Sequence, residues 1–152
     1  MIKYLAVALF VCGLLSCSST DSLIGDVSLS KCLNTRSFNQ EESDSITECH
    51  ELVKLTRGER DVYCEWCNFW INCMTSDVIV DCEKEDGKMV IRYSQVYKDG
   101  IGATCSCPVT LYFTIRDAAQ DRFMLVIRDR TYEVDFNGGG TATLDLSKPL
   151  AE

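Results

Sequence analysis

Histidine is almost absent from this chain, which has a single one, His50, in 152 residues. A Ser-His-Asp triad would need His50 as its base, with partners that the sequence does not locate, so we expect a surface or capping histidine. Basic residues are also few, because 15 Lys and Arg stand against 23 Asp and Glu, for a net charge of −8. Binding to nucleic acid needs a clustered basic surface, so this class of partner is excluded.

Long apolar runs are missing after residue 16. The apolar run over 5–15 follows Lys3 and is too short for the roughly 20 residues that cross a bilayer. A short basic start, an apolar run and the small Ser16 before Cys17 are the parts of a secretory signal with a lipoprotein cleavage box. We predict a lipoprotein signal peptide over 1–16 and lipid, palmitate included, on Cys17. More than one acyl chain would anchor the protein firmly to a membrane.

The residue after Cys17 is Ser18 rather than Asp. This pattern resembles lipoproteins that are sorted onward to the outer membrane. We expect an outer-membrane lipoprotein of the cell envelope, facing the periplasm or the cell surface, that contacts the membrane through the lipid on Cys17. A polar tether over 17–26 and a single domain over 27–152 complete the predicted organisation.

Cysteine is abundant, with ten in the chain. Setting aside Cys12 in the signal and Cys17 leaves an even number, which favours disulfides in an exported chain. The disulfide candidates are Cys32, Cys49, Cys64, Cys67, Cys73, Cys82, Cys105 and Cys107. We favour a local bridge between Cys32 and Cys49, with the other six grouped in the β-rich part.

Spacing constrains how these cysteines pair. Cys105 and Cys107 flank one residue, so on a strand they share a face and can meet two cysteines of a neighbouring segment. Cys64 and Cys67 lie three residues apart, so on a strand they face opposite ways.

From Asp61 onward, β-branched and aromatic residues occur in short runs between turn residues. Strands are predicted at 62–73, 78–82, 89–94, 109–116, 123–128, 131–136 and 141–146, after a short helix over 46–55. The turns at 85–88 and 137–140 each predict a hairpin, and 99–102 predicts a longer connection. This pattern favours an all-β fold, an antiparallel, immunoglobulin-like β-sandwich of about seven strands with a less regular N-terminal segment stapled by disulfides.

Several motifs of the second half recur together in one family. Asn72 and Cys73 end an aromatic run, 89–91 is a short apolar strand, and Cys105-Ser106-Cys107 leads into the strand at 109–115, with a further apolar strand at 123–127 before the last hairpin. This half of the chain resembles small, uncharacterised cysteine-containing lipoproteins of Bacteroides-like bacteria. The resemblance implies an exported, lipid-anchored β-sandwich with cysteines clipping the sheet ends, and it implies no activity.

Two chemical alternatives use the same cysteines. Cys64 and Cys67 have the spacing of a thiol–disulfide redox pair, although a strand follows them rather than the helix whose N-terminus lowers a thiol pKa. Cys64, Cys67, Cys105 and Cys107 would supply the four thiolates of a zinc-binding module, although Cys-X-Cys is tighter than the usual spacing. We prefer structural bridges, and expect no enzymatic activity, no cofactor and no bound metal.

Trp66 and Trp70, with Tyr63 and Phe69, form the most aromatic segment of the chain. Aromatic anchors concentrate at binding sites, so Trp66 and Trp70 are candidates for binding a protein or glycan partner. Their even spacing places both on one strand face, where we expect them to belong to the core. The sequence thus predicts a non-enzymatic, lipid-anchored, disulfide-stabilised extracytoplasmic binding or assembly module.

Overall fold

Alternating buried and exposed side chains mark nearly every element of the fold. The computed structural model describes residues 22–32 and 50–150, and within these ranges it has nine strands and no α-helix. The strands are β1 (Ile24–Leu29), β2 (Leu52–Arg57), β3 (Val62–Asn72), β4 (Thr75–Glu85), β5 (Lys88–Tyr97), β6 (Ser106–Ile115), β7 (Arg122–Ile127), β8 (Arg130–Asp135) and β9 (Thr141–Asp145). One turn of 3₁₀-helix, Lys98–Gly100, follows β5.

The strands form two sheets that enclose one core. The first sheet has the order β1-β6-β3-β2-β9 and the second the order β4-β5-β7-β8. Trp66, Phe69, Phe113 and Phe136 are among the largest fully buried side chains between them. The predicted all-β sandwich is confirmed, and all pairings are antiparallel except that of β5 with β7.

All seven predicted strands are present, but β1 and β2 were not anticipated. The predicted helix over 46–55 is wrong from Leu52 onward, because Val53 and Leu55 are both buried while Lys54 between them is exposed, which is the period of a strand. Pairing on both sides, with β3 and β9, stabilises this conformation. β1 begins at Ile24, three residues before the domain boundary predicted at Val27.

The turns show which local signals specify a fold. The Asp86-Gly87 hairpin is confirmed: both residues have positive φ, 48° and 77°, as a tight two-residue turn between twisted strands requires. The hairpin predicted at 137–140 is wrong, because β8 pairs with β7 and β9 pairs with β2 in the other sheet. This Gly-rich segment therefore crosses between the sheets.

Several predictions concern residues outside the described ranges. The signal peptide over 1–16, the lipid on Cys17, the first half of the predicted helix and Cys49 all belong to this group. Within 22–32 and 50–150, no helix is long and apolar enough to span a bilayer.

Candidate functional site

Two disulfides lie at the same end of the first sheet. Cys32 bonds to Cys107 and Cys73 bonds to Cys105, with Cα–Cα distances of 5.9 and 5.6 Å. The predicted Cys32–Cys49 bridge is wrong, because antiparallel pairing of β1 with β6 carries the residues after Leu29 to the start of β6. Cys105 and Cys107 thus meet cysteines from two different segments. These bonds indicate an oxidising, extracytoplasmic environment.

The other three described cysteines, Cys64, Cys67 and Cys82, are thiols in the structure. Cys64 and Cys82 point into the core from opposite sheets, and burial raises the pKa of both thiols, that of Cys82 to about 11. Cys67 is half-buried on the other face of β3 from Cys64, as the spacing predicts, and desolvation raises its pKa too. These three disulfide candidates therefore have no bridge here.

This arrangement weighs against both chemical alternatives. Thiol exchange needs a lowered pKa, whereas burial raises that of Cys64 and of Cys67, and the two sulfurs lie on opposite faces of a strand. The predicted zinc module loses two of its four ligands, because Cys105 and Cys107 are each bonded to another cysteine. No group of three or more metal-ligating side chains occurs in the part of the chain that the structure describes.

A β-bulge in β3 separates the two tryptophans. The register with β6 shifts between Trp66 and Phe69, where Asn68 has a φ of 56°. The extra residue reverses the alternation, so Trp66 is fully buried while Trp70 is 55% exposed. The expectation that both share one face is therefore wrong. Trp66 belongs to the core, and Trp70 lies on the surface, opposite Pro108 of β6.

Trp70 is one of four large apolar side chains exposed near the disulfides. Val96 and Tyr97 end β5, and Ile101, which is 67% exposed, follows the 3₁₀ turn. We call this region the clipped end and define it as residues 30–32, 70–75 and 95–107. Half of the large hydrophobic side chains that are exposed within the described ranges lie there. Large exposed apolar side chains gathered at one end of a fold are candidates for a binding site.

Asn72 and Gln95 hold the clipped end together. The Asn72 side chain donates to the carbonyl oxygen of Ala103 at 2.5 Å and accepts from the Ala103 amide at 2.9 Å. Gln95 accepts from the Asn72 amide at 2.9 Å and donates to the carbonyl of Trp70 at 3.2 Å. These hydrogen bonds fix the last residues of β3 and β5 and the connection to β6 to one another.

A second cluster links the two sheets around Arg128. Its guanidinium lies 5.2 Å from the Trp66 ring and 5.6 Å from the Tyr93 ring, and it donates to Glu51 at 2.6 Å and to the Tyr93 hydroxyl at 2.7 Å. Glu51 also accepts from the Trp66 indole at 2.9 Å. Cavities of about 210 and 490 Å³ flank Arg128. Since Nε and Nη1 of its guanidinium are already engaged by the protein, we assign this cluster to stability.

Sequence reasoning singled out the four bridged cysteines and Trp70 of the clipped end but missed its other apolar residues. Val96, Tyr97 and Ile101 carry no motif, and Asn72 attracted notice only as a neighbour of Cys73. The only signal for these missed residues was the run 99–102, which marked a long connection, a common location for binding residues. His50, predicted to be a surface or capping residue, is exposed just before β2.

Comparison of the chain with protein-family models, curated proteins and solved structures finds no match. Function is therefore inferred from the sequence and the geometry of the chain itself.

Proposed function

We propose that this protein is a non-enzymatic, lipid-anchored envelope module that binds a partner protein through the clipped end. The observation that carries the proposal is the exposure of Trp70, Val96, Tyr97 and Ile101 beside two disulfides. Trp and Tyr are enriched among the residues that dominate binding energy at protein interfaces.

Rigidity supports this function. The Cys73–Cys105 bond and the hydrogen bonds of Asn72 and Gln95 order the clipped end before any partner arrives. A surface ordered in advance loses less conformational entropy on association, so more of the contact energy appears as affinity.

The composition of the exposed side chains at the clipped end favours a protein over a glycan. Val96 and Ile101 are branched aliphatic residues, which gain most from burial against an apolar protein surface. The net charge of −8 would speed encounter with a partner whose apolar patch lies among basic residues.

The sequence up to Cys17 supports the envelope location. Its leader and cleavage box support lipidation at Cys17, and Ser18 supports sorting to the outer membrane. The disulfides are consistent with that compartment.

Site-specific photo-crosslinking in cells that make the full-length precursor tests the proposal. A photoreactive amino acid replaces Ile101 in one strain and Asp86 in another, because Asp86 lies in the hairpin at the far end of β4 and β5 and serves as the matched control. We expect a discrete protein adduct from position 101 alone. The adduct should fall at least fivefold when Trp70→Ala and Tyr97→Ala are added.

Other outcomes overturn the proposal. Equal adducts from both positions would mean non-specific encounter, and no adduct from position 101 would mean that the clipped end has no protein partner. An adduct at twice the mass of the chain would identify a second copy as the occupant, in place of a different protein.

A further inference from the structure

The connection between β5 and β6 begins where the Lys98 amide donates to the Met74 carbonyl at 2.8 Å, and it is attached to the sandwich at two further points. At its base, Cys73 bonds to Cys105, and the Cys73 amide donates to the Cys105 carbonyl at 3.1 Å. In its middle, Asn72 forms the paired hydrogen bonds with Ala103 that imitate a rung of a β-ladder. Between the 3₁₀ turn and these attachments stands Ile101.

The two disulfides differ in their exposure. Cys73 and Cys105 are both exposed, and so is Cys32, whereas its partner Cys107 is half-buried against the core. Thiol–disulfide exchange requires access of an attacking thiolate to a sulfur, and exposed disulfides are the labile ones. Both sulfurs of Cys73–Cys105 are therefore open to attack, whereas Cys32–Cys107 is open to attack only at Cys32.

The hydrogen bonds between Asn72 and Ala103 involve no sulfur atom. We expect them to hold the middle of the connection whether or not the bond at its base is intact. Reduction should therefore loosen the segment without releasing it from the sandwich.

We propose that residues 98–105 form a redox-responsive binding loop, in which Asn72 is the positioning residue and exchange at Cys73–Cys105 sets how firmly Ile101 is presented to the partner. In that exchange a dithiol reductant gives up two electrons and closes its own disulfide. The Cys73–Cys105 bond breaks, and each sulfur takes up a proton. The inference rests on the proposed function, because it assumes a partner at the clipped end.

Hydrogen exchange and crosslinking together test the loop. Exchange of the Ala103 amide is followed by mass spectrometry in the lipidated mature protein, as wild type, Asn72→Ala, Cys73→Ser with Cys105→Ser, and all three changes combined. We expect about tenfold faster exchange in the Asn72→Ala protein, since its hydrogen bond is lost, and a further increase in the combined variant. Asn68→Gly removes an amide from the same strand at a residue with positive φ, and it should leave Ala103 unchanged.

The crosslink at position 101 supplies the second readout. Its yield should fall at least threefold as a dithiol reductant opens Cys73–Cys105, and the serine variant should not respond to reductant. If the Ala103 amide of the combined variant exchanged as slowly as that of the wild type, Asn72 and the Cys73–Cys105 bond would not hold the loop. If the Ala103 amide exchanged faster while the yield of the crosslink at position 101 stayed the same, redox control of binding would be rejected. Absence of any crosslink from the oxidised wild type would instead reject the proposed function, while the exchange data would still report on the tethers.

Discussion

Arg128 is the residue that joins the two sheets most directly, since it stacks on Trp66 and Tyr93 and pairs with Glu51. We expect Arg128→Ala to lower the free energy of unfolding by about 1–2 kcal/mol, from lost cation–π contact and a partly exposed ion pair. Arg128→Lys should lose less, because it keeps the charge without the planar donors. Urea denaturation measures both, and an Ala variant as stable as wild type would contradict the structural role.

The three thiols should differ in reactivity. Burial raises the pKa of Cys64 and Cys82, so in the folded protein at pH 8 iodoacetamide should modify only Cys67 among them, faster as the pH rises. Peptide mapping before and after denaturation measures this order. Labelling of Cys64 as fast as Cys67 in the folded chain would show that the core is open.

The same shift affects stability at alkaline pH. Thiols of the unfolded chain ionise near pH 8.5, whereas folded Cys82 keeps its proton up to about pH 11. The unfolded state therefore loses protons first, and the contribution of Cys82 to the free energy of unfolding is lost as the pH rises from ~8.5 towards the folded pKa. Urea midpoints at pH 7, 9 and 10 should decrease, and less so in Cys82→Ala.

At the scale of elements, the bulge in β3 decides which tryptophan is available for binding. Asn68 occupies its left-handed position, with a φ of 56°. We expect Asn68→Val to cost about 1–2 kcal/mol, because a β-branched residue is strained there, and Asn68→Gly to cost much less. Equal unfolding free energies for the two variants would mean that the position carries no backbone constraint.

The bulge also shows where sequence reasoning ends. Hydrophobic alternation was enough to find the strands from Val62 onward, because each is half-buried and period two is a local property. A bulge inserts one residue without any compulsory sequence signal, so the even spacing of Trp66 and Trp70 predicted one shared face. Likewise, the Gly-rich turn at 137–140 reveals a reversal but not which strand is the partner of β9. The pairing Cys32–Cys107 depends on that same non-local topology.

At the scale of the whole molecule, the chain reaches the clipped end from both of its described segments. The residues after β1 are held there through Cys32, and β3, β5 and β6 meet there. The lipid predicted on Cys17 precedes the start of β1 at Ile24 by seven positions. Because β1 runs from Ile24 towards the clipped end, the anchor would be attached at the opposite end of the first sheet. The proposed partner site would then face away from the membrane.

Substitutions of two different cysteines test the predicted lipid anchor. We expect Cys17→Ala to move the protein from the membrane fraction to the soluble fraction, because no acyl chain can then be attached. Cys12→Ala, in the apolar run of the predicted signal peptide, should leave it membrane-bound and is the matched control. Fractionation at low and high salt separates a lipid anchor from charge attraction, since screening weakens only the latter. A Cys17→Ala protein that sediments with membranes at high salt would contradict lipidation, and would leave the orientation of the clipped end to some other attachment.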